Sequence, residues 1–99
     1  MNPRAHLIID FWFNKTPQEK KFKRDVSFDE EIRKNFMEDY NLAKSNHYDD
    51  WLNQPKECLA LIILLDQFSR NLFRDKKEAF HQDHKARLAV NQGIYLGYL

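Results

Sequence analysis

The sequence predicts an all-α fold of four or five helices that pack as antiparallel hairpins in one domain, residues 1–99. Glycine is the first reason, because the chain holds only Gly93 and Gly97, and strand-rich folds need more glycine for their tight turns. The second reason is that apolar residues recur at helical spacing in several stretches. The third is length, since 99 residues suffice for one core, around which helices joined by short loops pack antiparallel.

The first helix is predicted from Asn2 to about Phe13. Asn2 is a residue type that caps helix N-termini, and Pro3 suits the first helical position. Its broad apolar face consists of Leu7, Ile8, Phe11 and Trp12. Thr16-Pro17 is expected to end the helix, and a polar linker follows.

The second helix has the strongest start signal in the chain, since Ser27 and Glu30 form an S-x-x-E capping box. Apolar residues then recur at helical spacing, with charged residues between them that are predicted to face water. The apolar set is Phe28, Ile32, Phe36, Tyr40 and Ala43, and the charged set is Glu30, Glu31, Lys34 and Glu38. The helix is expected to end near Ser45-Asn46.

The third helix is predicted to begin around Pro55 and to lie at the centre of the fold. Its segment Cys58–Leu65 is apolar on every side, which is typical of a helix surrounded by others. A buried strand is the competing interpretation of such a run. The polar residues on both sides continue a longer helical pattern and favour the helix.

The last helical region is predicted to begin at a second capping signature, formed by Asp75 and Glu78. Asp83 can divide this region into two shorter helices by acting as a new cap. The apolar residues that this helical region carries are Ala79, Phe80, Ala86, Leu88, Ala89 and Ile94.

The charge balance argues against a nucleic-acid partner. The chain has 16 Lys and Arg against 15 Asp and Glu, a net charge of +1, so it lacks the basic patch that such binding needs. One basic cluster, predicted to be a solvated loop with an anionic partner as the alternative, consists of Lys15, Lys20, Lys21, Lys23 and Arg24. The abundant Phe and Trp residues follow helical spacing and are predicted to form core rather than a base-stacking platform.

Cysteine usage and hydropathy predict a cytoplasmic protein. Cys58 is the only cysteine, so no disulfide forms within the chain, and we expect it to be a small core residue. The N-terminal apolar stretch contains Asp10 and lacks a cleavage site of small residues, so no signal peptide is predicted. The run Leu59–Leu65 is too short to cross a bilayer, so no membrane association is expected.

The most informative polar stretch follows the apolar run. On a helix, Asp66, Gln67, Arg70 and Asn71 share a sector of about 140°, and the spacing of Asp66 and Arg70 allows an ion pair. One interpretation is a structural network of hydrogen bonds. If this network is buried, Arg70→Ala is expected to lower the free energy of unfolding by about 3–5 kcal/mol. The other is a ligand pocket in which Arg70 and Arg74 hold an anionic group and Asp66 acts as acid or base.

Two further groups of polar residues carry weaker signals. Asp10 lies among apolar residues, and Arg70 or Arg74 is its expected partner. His81 and His84 flank Asp83, but their spacing is not a zinc signature, so we expect no metal site and no cofactor.

The sequence resembles the bacterial family known as domain of unknown function 924. The segment from Leu59 through Arg74 is the most specific part of the resemblance, and Ser69 stands where many members have proline. Shorter matches are Asp10-Phe11-Trp12-Phe13, Phe28-Asp29, Trp51, Ala79-Phe80, Asp83 and Ala86. The resemblance covers the first half of the family's usual domain. It implies an all-α superhelical fold similar to a tetratricopeptide array and provides no catalytic residues.

Two functions are compatible with these features. The first is an interaction or scaffold module of helical hairpins, which rests on analogy with the implied fold. The alternative is a small-molecule-binding protein or an enzyme with a polar pocket around Asp66 and Arg70. An open cavity beside these two residues would favour the alternative, and a closed network in which every polar group is paired would favour the module.

Self-association as a symmetric dimer is also expected. The all-round apolar segment Cys58–Leu65 needs cover on every side, and the tail from Ile94 to Leu99 adds apolar surface. A second copy can pack against the open face or exchange the last helix. In the alternative, Tyr95–Leu99 folds back over the core of a monomer.

Overall fold

The computed structural model describes residues 2–21 and 23–98, and every regular element within them is helical, so the all-α prediction is confirmed. The α-helices are α1 (Pro3–Asp10), α2 (Gln18–Lys21), α3 (Val26–Lys44), α4 (Pro55–Ile62), α5 (Ser69–Leu72) and α6 (Asp83–Tyr95). Two π-helical segments, Phe11–Lys15 and Ile63–Phe68, continue α1 and join α4 to α5, and two 3-10 turns span Asp49–Asn53 and Lys77–Phe80. Leu99, predicted to be part of the apolar tail, lies outside the described residues.

Four long helical runs form the fold; consecutive runs are antiparallel, and the first run also packs against the third. The runs span residues 3–15, 26–44, 55–72 and 83–95. The start of α3 meets the end of the third run, where the Asn71 amide donates to Asp29 at 2.9 Å. The end of the third run meets the start of α6, where Arg70 donates to Asp83 at 3.2 Å, and the Cys58 thiol near the start of α4 donates to the Ala89 carbonyl at 3.5 Å. These contacts establish the predicted hairpin order.

Of the N-terminal caps predicted for α1 and α3, the first is confirmed and the second is wrong. The predicted cap of α1 is confirmed, since the Asn2 side chain accepts from the backbone N–H of Arg4 and Ala5. The predicted Ser27 cap of α3 is wrong. Asp25 takes an extended conformation two residues earlier, and its carboxylate accepts from the Phe28 N–H at 3.0 Å, which places Ser27 inside the helix.

The ends of α3 and α6 are closed by backbone hydrogen bonds of the Schellman type. After α3, Asn46 has a φ of 71°, and the His47 N–H donates to the Leu42 carbonyl at 2.9 Å. After α6, Gly97 has a φ of 80°, and the Tyr98 N–H donates to the Gly93 carbonyl at 2.7 Å. The predicted end of α3 near Ser45-Asn46 is therefore confirmed.

The predicted capping signature at Asp75 is wrong. Asp75 has a left-handed φ of 67°, and its carboxylate accepts from Arg24 at 2.8 Å instead of capping a helix. Only the 3-10 turn Lys77–Phe80 forms there. The expected division at Asp83 is confirmed, although Asp83 is the first residue of α6 and Gln82 occupies the cap position.

The core is built around an aromatic cluster centred on Phe68. Its side chain is fully buried, and its ring centroid lies between 5.0 and 5.9 Å from those of Phe11, Trp12 and Phe36. The predicted buried face of α3 is confirmed for Phe28, Ile32, Phe36, Tyr40 and Ala43. The Phe and Trp residues in this cluster are therefore core residues, as their spacing predicts, whereas the same prediction is wrong for Phe13, which is 52% exposed.

The run 55–72 is the central helix, as predicted. Most of the segment Cys58–Leu65 is buried, and Leu59 and Ile62 are partly exposed. Burial raises the pKa of the Cys58 thiol, which is consistent with its predicted place in the core. None of the helices in the described residues has both the length and the apolar composition needed to cross a lipid bilayer.

Candidate functional site

The polar stretch lies where the central helix widens into the π-helical segment Ile63–Phe68, a feature that often accompanies functional sites. The predicted ion pair is present, with Arg70 Nη1 lying 3.0 Å from Asp66 Oδ1. Arg70 also donates to the Asp66 carbonyl at 2.7 Å and to Asp83 at 3.2 Å, and Gln67 donates to Asp66 at 3.0 Å. We call Asp66, Gln67, Arg70 and Asp83 the Asp66 cluster.

Asn71 and Arg74 belong to a different group, the Asp29 cluster. The Asn71 amide donates to Asp29 at 2.9 Å, and Arg74 donates to both oxygens of the same carboxylate at 2.5 and 2.8 Å. The structure therefore divides the five predicted site residues into two sets. Asn71 follows Arg70 by about 100° around the helix and faces α3, whereas Arg70 faces α6.

The two clusters differ in burial and therefore in what they can do. Asp29 and Asn71 are 7% and 6% exposed, whereas the side chains of Asp66 and Arg70 are 35% and 38% exposed. Burial tends to raise the pKa of Asp29, but the hydrogen bonds from Arg74 and Asn71 and the charge of Arg74 outweigh it and hold the pKa below its usual value. The Asp29 cluster is thus a buried charged contact between α3 and the end of the third run.

Two surface cavities meet at Arg70. The smaller, of about 230 Å³, lies between the central helix and α6 and is bounded by Asp66, Arg70 and Asp83. The larger, of about 610 Å³, is lined by Arg70, Arg74, Asp75, Lys76, Lys77, Ala79 and Phe80. The guanidinium of Arg70 lies 4.9 Å from the Phe80 ring centroid, within cation–π range. Arg70 is therefore the predicted site residue with most access to a ligand.

A third polar cluster lies towards the other end of α3, and it is not among the sites predicted from the sequence. Arg4 donates to both oxygens of Asp39 at 2.6 and 3.2 Å, and the Tyr48 hydroxyl donates to Asp39 at 2.7 Å. Asp39 is only 3% exposed, and a cavity of about 440 Å³ lies beside it. Its position three residues after Phe36, on the apolar face of α3, is the signal that could have revealed it.

The predicted partner of Asp10 is wrong. Asp10 accepts from the Asn14 amide at 2.8 Å and lies 3.3 Å from Lys15 Nζ, both within the same turn. Arg70 and Arg74 are instead held by the carboxylates of the Asp66 and Asp29 clusters.

The remaining acidic, histidine and cysteine side chains are relevant to metal binding. Within residues 2–21 and 23–98, no three His, Cys, Asp or Glu side chains are grouped so as to hold a metal ion. Asp83, which lies between His81 and His84 in sequence, bonds to Arg70. In the same residues, every buried side-chain nitrogen and oxygen has a hydrogen-bond partner. Each polar cluster therefore satisfies its own buried groups.

These features define an all-α protein of antiparallel helices, joined by carboxylate–guanidinium contacts between distant parts of the chain. The sequence profile of a bacterial family of proteins of unknown function, DUF924, matches residues 8–98. The chain belongs to this family, as the resemblance implies.

A solved structure with this fold comes from Agrobacterium tumefaciens and is described as a protein of unknown function. It superposes on this chain with a TM-score of 0.89 at 35% sequence identity, covering 95% of this chain and 53% of that one. This chain thus spans about half the length of that relative. No curated protein matches the sequence.

The difference in burial predicts different costs for removing the two arginines. Arg74→Ala leaves the buried Asp29 without its cation and is expected to lower the free energy of unfolding by about 3 kcal/mol. Arg70→Ala is expected to cost about 1 kcal/mol or less, because its carboxylates reach water. Urea denaturation of the two variants measures the difference. Arg24→Ala, which breaks the exposed pair with Asp75, is the control, and a cost for Arg74→Ala no greater than that of the control would contradict the assignment.

The Tyr48 hydroxyl predicts a dependence of stability on alkaline pH. Burial, followed by the hydrogen bond to Asp39 and the charge of that carboxylate, raises the pKa of Tyr48 above its ordinary value. The folded protein therefore keeps this proton to higher pH than the unfolded chain does. The resulting stabilisation is complete below about pH 10, the ordinary tyrosine pKa, and is lost as the pH rises through the folded-state pKa.

We accordingly expect the stability advantage of wild type over Tyr48→Phe to shrink above about pH 10, by up to about 1.4 kcal/mol per pH unit. Urea denaturation at pH values on both sides of 10 measures this advantage. Tyr95→Phe alters an exposed hydroxyl and should follow the wild-type profile. An advantage over Tyr48→Phe that stays constant across this range would show that the Tyr48 hydroxyl titrates normally.

Proposed function

We propose that this protein is a helical interaction module and that the outer face of α6 and its end form the binding surface. The observation that carries the proposal is a concentration of exposed apolar side chains in this part of the chain. Leu88 is 54% exposed, Ile94 60% and Tyr95 86%, and Leu96 directly follows the helix. Apolar surface of this kind, when contiguous, commonly marks a protein contact.

The spacing of the exposed residues supports a contact with another helix. His84, Leu88, Asn91 and Tyr95 are all exposed and recur at intervals of four, three and four residues, so they lie along one face of α6. This spacing is the one found at the seam of two packed helices. The opposite side of α6, with Ala86, Ala89 and Gly93, is already buried against the protein.

The start of the apolar tail, Tyr95 and Leu96, is exposed at the end of α6. If the tail folded back over the core, Tyr95 and Leu96 would be buried, but they are 86% and 44% exposed. Within the described residues, the tail therefore adds to the binding surface of α6.

The state of the polar clusters supports the same function. Arg70 and Arg74, which a ligand pocket would need for an anionic group, are each engaged by carboxylates of the protein itself. A paired arrangement of this kind favours an architectural role for both clusters. A tetratricopeptide-like arrangement of the helices and a cytoplasmic location, consistent with the reduced and buried Cys58, are parts of the same proposal.

Site-specific photo-crosslinking tests the binding surface. Benzoylphenylalanine placed at position 88 is expected to form a covalent adduct with a protein in living bacteria, detected by its mass and identified by mass spectrometry. Adding Tyr95→Lys on the same face should lower the adduct yield at least about tenfold, because it places a charge in the contact.

Position 26 provides the matched control, because Val26 is 73% exposed and lies on α3. The crosslinker there should give no comparable adduct. Equal yields at positions 88 and 26, or a yield at position 88 that Tyr95→Lys leaves unchanged, would refute α6 as the binding surface.

The second candidate function is binding of a small anion beside Arg70, in the cavity of about 610 Å³. Four cationic residues, Arg70, Arg74, Lys76 and Lys77, line this cavity together with the Phe80 ring. If this candidate is correct, inorganic phosphate should raise the Tm in a saturable way, and Lys76→Ala with Lys77→Ala should abolish the rise. Lys34→Ala on the exposed side of α3 should leave it intact. A Tm that does not respond to phosphate would exclude phosphate as the ligand of this cavity.

A further inference from the structure

We propose that the partner of the α6 face is a second copy of this chain, packed antiparallel and face to face. The proposal rests on the proposed function and names the occupant of the same surface. The face is defined by His84, Leu88, Asn91 and Tyr95, which are exposed on one side of the helix.

The spacing of the four residues allows the face to pair with itself. The intervals of four, three and four residues read the same in both directions along the chain. In an antiparallel pair centred between Leu88 and Asn91, Leu88 lies opposite Asn91 of the partner subunit, and His84 lies opposite Tyr95 of the partner subunit. This is the isologous contact expected of a two-fold dimer, in which both copies use the same surface patch.

The chemistry of the face is also compatible with self-pairing. None of its four residues is Asp, Glu, Lys or Arg, so the contact opposes no like charges. Arg87 lies beside the face and, in the same register, falls opposite Gln92 of the partner subunit. Antiparallel helices also place the positive end of one helix dipole beside the negative end of the other. Asn91 can fix the register, as single polar residues do in helix seams.

The size of the face sets the expected affinity. A helix of 13 residues such as α6 is about 20 Å long, so a contact through this face and its flanking residues falls at the lower end of specific interfaces. We therefore expect a dissociation constant on the order of micromolar rather than nanomolar.

Analytical ultracentrifugation of the 99-residue chain from low to high micromolar concentration tests the proposal. The mass should rise from the monomer value of 12.0 kDa toward twice that value. Leu88→Glu should weaken the dimer at least about tenfold, because each copy then buries an unpaired carboxylate. Asn91→Lys should weaken it similarly, and Val26→Glu should have no effect.

Mixing the two weakened variants tests the register itself. In a mixed dimer, the carboxylate introduced by Leu88→Glu lies opposite the ammonium group introduced by Asn91→Lys, so the mixture should dimerise more strongly than either variant alone. Circular dichroism confirms that each variant is folded, and Tyr95→Lys replaces Leu88→Glu in the comparison of affinities if that variant unfolds.

Each outcome bears on a distinct part of the proposal. A wild-type mass that stays monomeric at high micromolar concentration would overturn the dimer, and so would a dimer unaffected by the face variants. A mixture that fails to recover would overturn the antiparallel register. If the chain is monomeric but the crosslinker at position 88 captures a different protein through the same face, this inference fails while the proposed function stands.

Discussion

Two buried aspartates on α3 constrain the rest of the structure, because a carboxylate removed from water needs a cation or several donors beside it. Asp29 receives Arg74 and Asn71 from the end of the third helical run, and Asp39 receives Arg4 and Tyr48. One long helix is thereby held to three other parts of the chain. Removing a single cation would leave a buried charge, so these contacts fix which segments lie next to α3.

The same stretch of the central helical run contributes to the aromatic core and to the Asp66 cluster. Phe68 turns into the core, where its ring meets those of Phe11 and Phe36, and neighbouring Asp66 and Arg70 turn outward. The π-helical segment that ends at Phe68 contains both the ring of Phe68, which faces the core, and the carboxylate of Asp66, which faces outward. The Asp66 cluster is consequently paired within the protein yet open to water, a combination compatible with an architectural role or with weak anion binding at Arg70.

The exposed apolar groups of α6 contrast with the satisfied polar groups of the protein interior. Among the described residues, the buried polar atoms have partners within the protein, whereas Tyr95 and Ile94 remain largely in water. Burying apolar area is the main favourable contribution to protein association, and paired charges add little to it. The same small helix can therefore use its inner face for folding and its outer face for a partner.

The sequence by itself determined the properties that depend on neighbours along the chain. The helical class, the Asn2 cap, the buried stripe of α3 and the Asp66–Arg70 pair all involve residues a few positions apart, where helix geometry decides proximity. Only the tertiary structure decided the partners of Asp29 and Asp39, which lie 45 residues from Arg74 and 35 from Arg4. Spacing along one helix cannot predict such pairs, because they depend on which helices pack together and in what register.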